Sequence, residues 1–213
     1  MDYKHKSYRI AVLGAEGVGK TSLTMGDSNH IYKQYNPTVE DSFITLKTIH
    51  DTKHCIEILD TAGQEEYASL RDNWIRQSDG VVLVYDVTSR ASFTSLEQLI
   101  EQVMQVKWDP EDSVASRPSR LPIMIVGNKM DLLKRRRVRN TEGLAFAKKH
   151  GCMFVETSAW STHNNVDKAF CDVVKILLSL TPQSSNALAH QGWLGEPIFS
   201  FIKSIVAAVL SCN

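Results

Sequence analysis

Apolar residues in this chain come in short blocks, and the blocks switch between two periods. "YRIAVLG" (8–14) is nearly continuous and predicts a strand running straight into a glycine-rich loop, after which Lys20 opens a helix. "SFITLKTI" (42–49) and "KHCIEILD" (53–60) predict a hairpin, with about three residues, "HDT", between the strands and Asp60 at the end of the second. "GVVLVYDV" (80–87) and "LPIMIVGN" (121–128) are almost wholly apolar, the pattern of strands covered on both faces. "ASFTSLEQLIEQVMQVKW" (91–108) places Phe93, Leu96, Leu99, Ile100, Val103 and Val106 at helical spacing and predicts one amphipathic helix. "NTEGLAFAKKHG" (140–151) predicts a helix stopped by Gly151. "CMFVETSA" (152–159) is the last strand and "NNVDKAFCDVVKILLSL" (164–180) the last long helix, before Pro182.

Strands alternating with helices predict an α/β fold, a mostly parallel sheet with helices on both faces, and the hairpin adds one antiparallel edge strand. "DPEDSVASRPSR" (109–120) is polar, aperiodic and proline-containing, and reads as a surface loop that tolerates insertion. The globular domain is expected over residues 7–181, a flexible linker over 182–192, and an apolar tail over 193–213. At 213 residues the chain is long enough for one domain with a sizeable core. Its 24 basic and 24 acidic side chains cancel, which argues against a nucleic-acid partner. Cys55, Cys152, Cys171 and Cys212 lack disulfide or metal spacing; the first three read as buried thiols of a reducing compartment. "MDYKHKSYR" has no apolar run behind it for a signal peptide, so a cytoplasmic protein is expected.

Gly14 to Thr21, "GAEGVGKT", has the Walker A spacing G-x-x-x-x-G-K-[ST] of a P-loop NTPase. In that pattern the backbone N–H groups of Gly14, Glu16, Gly17, Val18, Gly19, Lys20, Thr21 and Ser22 curl around phosphates. Lys20 reaches the outer phosphates and the Thr21 hydroxyl can ligate magnesium. "GNKMDL" (127–132) selects the base: Asp131 can accept two hydrogen bonds from guanine, a pair that adenine does not offer. Asn128 can bond the other base edge and brace the phosphate loop, while the Lys129 stem lies over the ring. "TSAW" (157–160) brings Ser158, the Ala159 N–H and Trp160 to the same place. "DTAGQEEY" (60–67) supplies the γ-phosphate end: Asp60 holds magnesium through water, the Gly63 N–H faces the γ-phosphate, and Gln64 orients the attacking water. In "YNPTVEDSF" (35–43), Thr38 offers a second hydroxyl to magnesium.

Over roughly residues 7–180 the chain resembles the Ras superfamily of small GTPases, and its Ras/Rap branch in particular. The resemblance implies a six-stranded sheet, bound GTP or GDP with Mg2+, hydrolysis of GTP to GDP and phosphate, exchange factors that load GTP, and GTPase-activating proteins. Tyr35, Pro37, Thr38, Glu40, Asp41 and Ser42 match the branch's effector segment, where the edge strand pairs with a ubiquitin-like Ras-binding domain.

The departures set further expectations. Glu16 stands where Ras has a glycine beside the γ-phosphate; it either blocks an activating protein's arginine finger or points into solvent. The finger normally supplies about 10³–10⁵-fold in rate, so blocking it gives slow, poorly stimulated hydrolysis and a largely GTP-bound, effector-binding module. The segment from Thr21 to Thr38 is one residue shorter than in Ras, and Ile31 replaces a phenylalanine at the guanine edge with Tyr32 adjacent, which implies faster GDP release. Trp160 replaces the usual lysine and either stacks on the base or covers it. "KRRRVR" (134–139) reads as a solvated loop or as a contact for an anionic surface. Cys212 is second from the end, so the prenylated box of the branch is missing from "VLSCN". "WLGEPIFSFIKSIVAAVLSCN" (193–213) then reads as peripheral membrane contact at the cytoplasmic face, as a helix docked on the domain, or as an aberrant end.

Overall fold

A computed structural model of the chain describes residues 7–25, 40–61, 63, 68–107, 121–160 and 165–180. Six strands form one sheet in the order β2-β3-β1-β4-β5-β6: β1 (Ser7–Gly14), β2 (Glu40–Ile49), β3 (Thr52–Thr61), β4 (Gly80–Asp86), β5 (Ile123–Asn128) and β6 (Met153–Glu156). Only β2 with β3 is antiparallel. The helices are α1 (Lys20–Thr24), α2 (Ala68–Gln77), α3 (Arg90–Thr94), α4 (Leu96–Lys107), α5 (Asn140–His150) and α6 (Val166–Ser179). The chain falls into two units, Met1–Ile176 and Leu177–Asn213; of the second, residues 177–180 are described, the last three residues of α6 and one turn residue. The expected loop at 109–120, linker at 182–192 and tail at 193–213 lie outside the described residues.

Every residue of β4 and β5 is buried, as their unbroken apolar runs require of strands with both faces covered. One face carries Ala11, Leu13, Val81, Leu83, Tyr85, Ile123 and Ile125, packed against Trp74 and Ile75 of α2, Leu96, Leu99, Ile100 and Val103 of α4, and Ala147 of α5. The other face points Ile10, Val12, Val82, Val84, Met124 and Val126 the opposite way. There Val173 of α6 packs so closely on Gly80 that an added Cβ would lie 2.6 Å from it.

Four details depart from the sequence expectations. The hairpin turn is two residues rather than three: Ile49 pairs with Thr52, and His50 and Asp51 both take positive φ, 49° and 60°. That is the backbone a two-residue hairpin needs to match strand twist, reached here without glycine. The helix expected over 91–108 is interrupted at Ser95, because Ser92 and Ser95 turn their hydroxyls back onto the carbonyls of Ser89 and Ser92, both at 2.9 Å. Helix α2 has no counterpart in the sequence reading, since among its described side chains only Trp74 and Ile75 are buried apolar residues. The three described cysteines are free thiols, half-buried rather than fully buried, and burial pushes the Cys152 thiol up to about 12.

The basic run 134–139 is only partly solvated. Arg136 forms a bidentate pair with Glu156 at 2.6 and 3.0 Å, and Val138 is fully buried. Among the described residues no helix is long and apolar enough to cross a membrane.

Tyr85 sits between two glycines. A Cβ on Gly127 would lie 2.7 Å from its hydroxyl and one on Gly143 would lie 2.5 Å from it. The buried hydroxyl has no hydrogen-bond partner among the described residues, and burial raises its pKa well above the ordinary phenol value. Tyr85→Phe should therefore stabilise the fold by about 1 kcal/mol, since an unpaired polar atom leaves the core. Gly143→Ala should destabilise it by about 1–3 kcal/mol through overpacking. Chemical unfolding of both variants checks the pair.

Candidate functional site

The site forms where β1, β3, β4, β5 and β6 present their carboxyl ends, and glycine makes its first loop possible. Gly14 ends β1 against β4, where any Cβ would run into the Val84 carbonyl. Gly17 and Gly19 have φ of 73° and 94°, the region that disfavours side chains. A Cβ on Gly19 would also fall 2.5 Å from the Asn128 amide nitrogen. The loop thus curls tightly enough to present backbone rather than side chains, the requirement of a phosphate cradle.

Lys20 is buried, and its Nζ donates to the Gly14 and Ala15 carbonyls at 3.0 and 2.9 Å. Burial lowers its pKa to about 8, while Asp60 and Glu16 act in the opposite direction. The ammonium is therefore mostly protonated at neutral pH and held in the mouth of the loop. Gly63 is brought to the same point: a Cβ there would meet Lys20 Nζ and lie 2.6 Å from the Glu16 nitrogen. Val18 is buried, Thr21 half-buried, and Glu16 and Ser22 exposed.

Asp60 is in register with Val12 on one side and Asp41 on the other. It is fully buried, and neither carboxylate oxygen has a well-formed hydrogen bond among the described residues. Burial raises its pKa; Thr21 and Lys20 pull it down without supplying a well-formed bond, and Asp41 adds to the rise. Leaving a buried carboxylate unpartnered is costly, and the cost disappears if a cation or its water stands before it. With the Thr21 hydroxyl nearby, the donors are hard oxygens of the kind magnesium prefers, so the residues present fit that ion.

The second half of the site is a junction of loops. Asn128 ends β5; its Nδ2 donates to the Val18 carbonyl at 2.9 Å and its Oδ1 accepts from Thr157 Oγ1 at 3.2 Å. Lys129 takes a positive φ of 65°, which turns its side chain back across the loop. Its Nζ reaches the Gly17 carbonyl and Asp86 Oδ2, each at 2.7 Å. Burial opposes ionisation of Asp86, yet bonds from Lys129 and from the Thr88 hydroxyl and N–H bring its pKa below the usual value. Asp131 is exposed and accepts from Ser158 Oγ at 2.5 Å, and that oxygen accepts from the Trp160 N–H at 3.2 Å. Ala159 is half-buried between them, and the Trp160 side chain is 69% exposed.

The structure thus gathers the phosphate-loop residues, Asp60 and Gly63 at one end and Asn128, Lys129, Asp131, Ser158, Ala159 and Trp160 at the other. Tyr35, Pro37, Thr38, Gln64, Ile31 and Tyr32 lie outside the described residues. Of Glu40 only its place at the start of β2 is described, while Asp41 and Ser42 are exposed on the same strand. Asp86 and Thr157 escaped the sequence reading. The "DVT" after β4 shows an aspartate able to bond its own turn, but nothing local points to Lys129. Two surface clefts, one between α2 and α4 and one beside residues 134–137, are lined by none of the residues gathered at the two ends of the site.

Residues 9–179 match the Ras family. The chain is 43% identical over 198 residues to "Ras-like protein B" of Aspergillus fumigatus, covering 86% of this chain and 82% of that protein. It is 44% identical over 209 residues to "Ras-like protein 1" of Pyricularia oryzae, covering 89% and 85%. To "Protein ras-2" of Neurospora crassa it is 45% identical over 194 residues, covering 86% and 84%. With its six-stranded sheet, phosphate loop and base junction, this chain belongs to the Ras family and is a small GTPase of the Ras superfamily.

Proposed function

We propose that this GTPase is a signalling switch that binds GTP and GDP with Mg2+, acts on effectors when GTP-loaded, and is shut off by hydrolysis. The observation that carries the reading is the closure of the base loop on the phosphate loop through Asn128 and Lys129, with Asp131 left at the open edge. A guanine seated against that edge gives its N1–H and amine to the Asp131 carboxylate and its oxygen to the Ala159 N–H. Lys129 covers the ring, with Trp160 beside it. The loop N–H groups from Gly14 to Ser22 and the Lys20 ammonium take the phosphates.

Thr21 and Asp60, with Thr38, would hold magnesium, which neutralises charge on the phosphates. Lys20 and the Gly63 N–H stabilise charge as the γ-phosphate leaves, and Gln64 positions the water. The γ-phosphate orders the segments of Thr38 and Gly63, and its loss releases them. Residues 35–43 offer the edge strand β2 to effector domains with basic faces. Exchange factors and GTPase-activating proteins set the balance, and the working location is the cytoplasm, at the cytoplasmic face of a membrane through the tail.

Glu16 favours a second reading, a protein that stays largely GTP-bound. It is exposed in the loop, and its backbone nitrogen lies against Gly63. An arginine finger entering there meets a carboxylate that can hold it short of the phosphate.

Single-turnover hydrolysis of bound GTP, with and without a Ras-type activating protein, tests this directly. The wild type should show little stimulation, and Glu16→Gly should gain at least about 10³-fold. Equal stimulation of both proteins would sink the role given to Glu16. Asp131→Asn should weaken GDP about 10²-fold or more in a fluorescent-nucleotide competition, and should recover affinity for xanthosine diphosphate, whose base offers an acceptor where guanine has its amine.

Asp60 gives a metal-removal prediction. Its pKa is raised in the folded protein above the ordinary 3.8, so folding takes up a proton and metal-free stability falls as pH rises through that window. With magnesium chelated at neutral pH, Asp60→Asn should melt higher than the wild type, by about 1–3 kcal/mol of stability. The same variant should lose the tightening of GDP binding on magnesium addition, read as an off-rate that no longer responds to the ion.

A further inference from the structure

The run "LLKRRRVRN" (132–140) holds five basic residues and no acidic one in a chain of zero net charge. The structure separates their roles. Arg136 is taken up by Glu156, and the backbone is pinned by the N–H groups of Arg137 and Val138, which donate to the Val87 carbonyl at 2.8 and 3.0 Å. Lys134, Arg135 and Arg137 remain exposed, and none of them pairs with a carboxylate among the described residues. Several other surface cations are matched, Arg9 with Glu57, Lys47 with Asp167, Arg90 with Glu142 and Lys149 with Glu97, while Lys53, Arg76 and Lys148 stand exposed singly rather than in a run.

The cations line a shallow cleft of about 610 Å³, together with Thr88 and with no acidic side chain in its wall. Leu133 stands next to them in the same turn, 72% exposed. An exposed leucine flanked by cations suits a headgroup–acyl boundary, where the apolar side chain enters and the charges meet lipid phosphates. Single-stranded nucleic acid would ask for an aromatic surface to stack on, and the run contains none.

We propose that Leu133, Lys134, Arg135 and Arg137 form a docking surface for an anionic lipid bilayer. The clamp of Arg136 on Glu156 fixes the tip, so that its cations act together from one rigid edge of the domain. Binding through this edge alone is weak and reversible.

The test is flotation of the full chain, loaded with GDP, with vesicles of phosphatidylcholine alone and vesicles containing added phosphatidylserine. The wild type should partition more strongly onto the anionic vesicles, and raised salt should remove most of the difference. A triple variant, Lys134→Ala with Arg135→Ala and Arg137→Ala, should bind about a hundredfold more weakly, at about fivefold per cation. Arg135→Ala alone should lose about fivefold, which keeps the test open if the triple variant folds poorly. Leu133→Ser should reduce binding on anionic vesicles as well. GDP content should stay the same throughout, because none of these side chains touches the nucleotide junction. Wild-type partition by the triple variant, or equal binding to neutral and anionic vesicles, overturns the proposal. Tighter binding to a duplex oligonucleotide than to anionic vesicles overturns it in favour of a nucleic-acid surface.

Discussion

The amide of Asn128 closes on a carbonyl from the phosphate loop and a hydroxyl from the loop after β6, and the site depends on that closure. Three loops far apart in sequence are fixed by one short side chain at the end of a fully buried strand. Both polar ends of the amide are used inside the protein, so rotating it away leaves buried groups unpaired. Gly19 must be glycine for the same reason, since the amide occupies the space a Cβ would need. Lys129 adds a second tie between these loops, and Asp86 holds Lys129 in its turn. Base recognition and phosphate recognition are therefore parts of one rigid unit.

The other end of the site has the opposite character. Asp60 is buried with no hydrogen-bond partner among the described residues, and Lys20 is buried with a depressed pKa. Burying either charge is costly: Lys20 offsets part of that cost through the Gly14 and Ala15 carbonyls, while Asp60 has no such bond among the described residues. The core around them compensates: β4 and β5 are wholly buried, and Trp74, Ile75, Leu96 and Ile100 seal the sheet on one side. The two ends thus differ in character, one tied together by hydrogen bonds between loops and the other holding two buried charges side by side.

The sequence revealed most of this because several constraints act locally. Strands β4 and β5 were legible since a strand covered on both faces must be apolar at every position. The phosphate loop was legible since Gly14, Gly19, Lys20 and Thr21 stand at the Walker A spacing, and a Cβ on Gly14 or Gly19 would meet the Val84 carbonyl or the Asn128 amide. Helix α2 was hidden, because its two buried apolar side chains, Trp74 and Ile75, are adjacent, its Leu70 is exposed, and no helical period of apolar residues results. The break at Ser95 was hidden too, since apolar spacing continues across it while the serine hydroxyls bond backward. The His50–Asp51 turn lacked the glycine by which such turns are usually recognised.

The sequence by itself determined most of the strand–helix order, the glycine-rich cradle, and the residue types gathered at the site, because each is written in neighbouring positions. Tertiary structure decided how those parts work together: Asp86 with Lys129, Thr157 with Asn128, Arg136 with Glu156, and the unpartnered state of Asp60. These pairings join residues from different strands and loops, and no local period or motif records them. They exist only because the parallel sheet brings the carboxyl ends of its central strands to one edge, where distant side chains must find partners or go without.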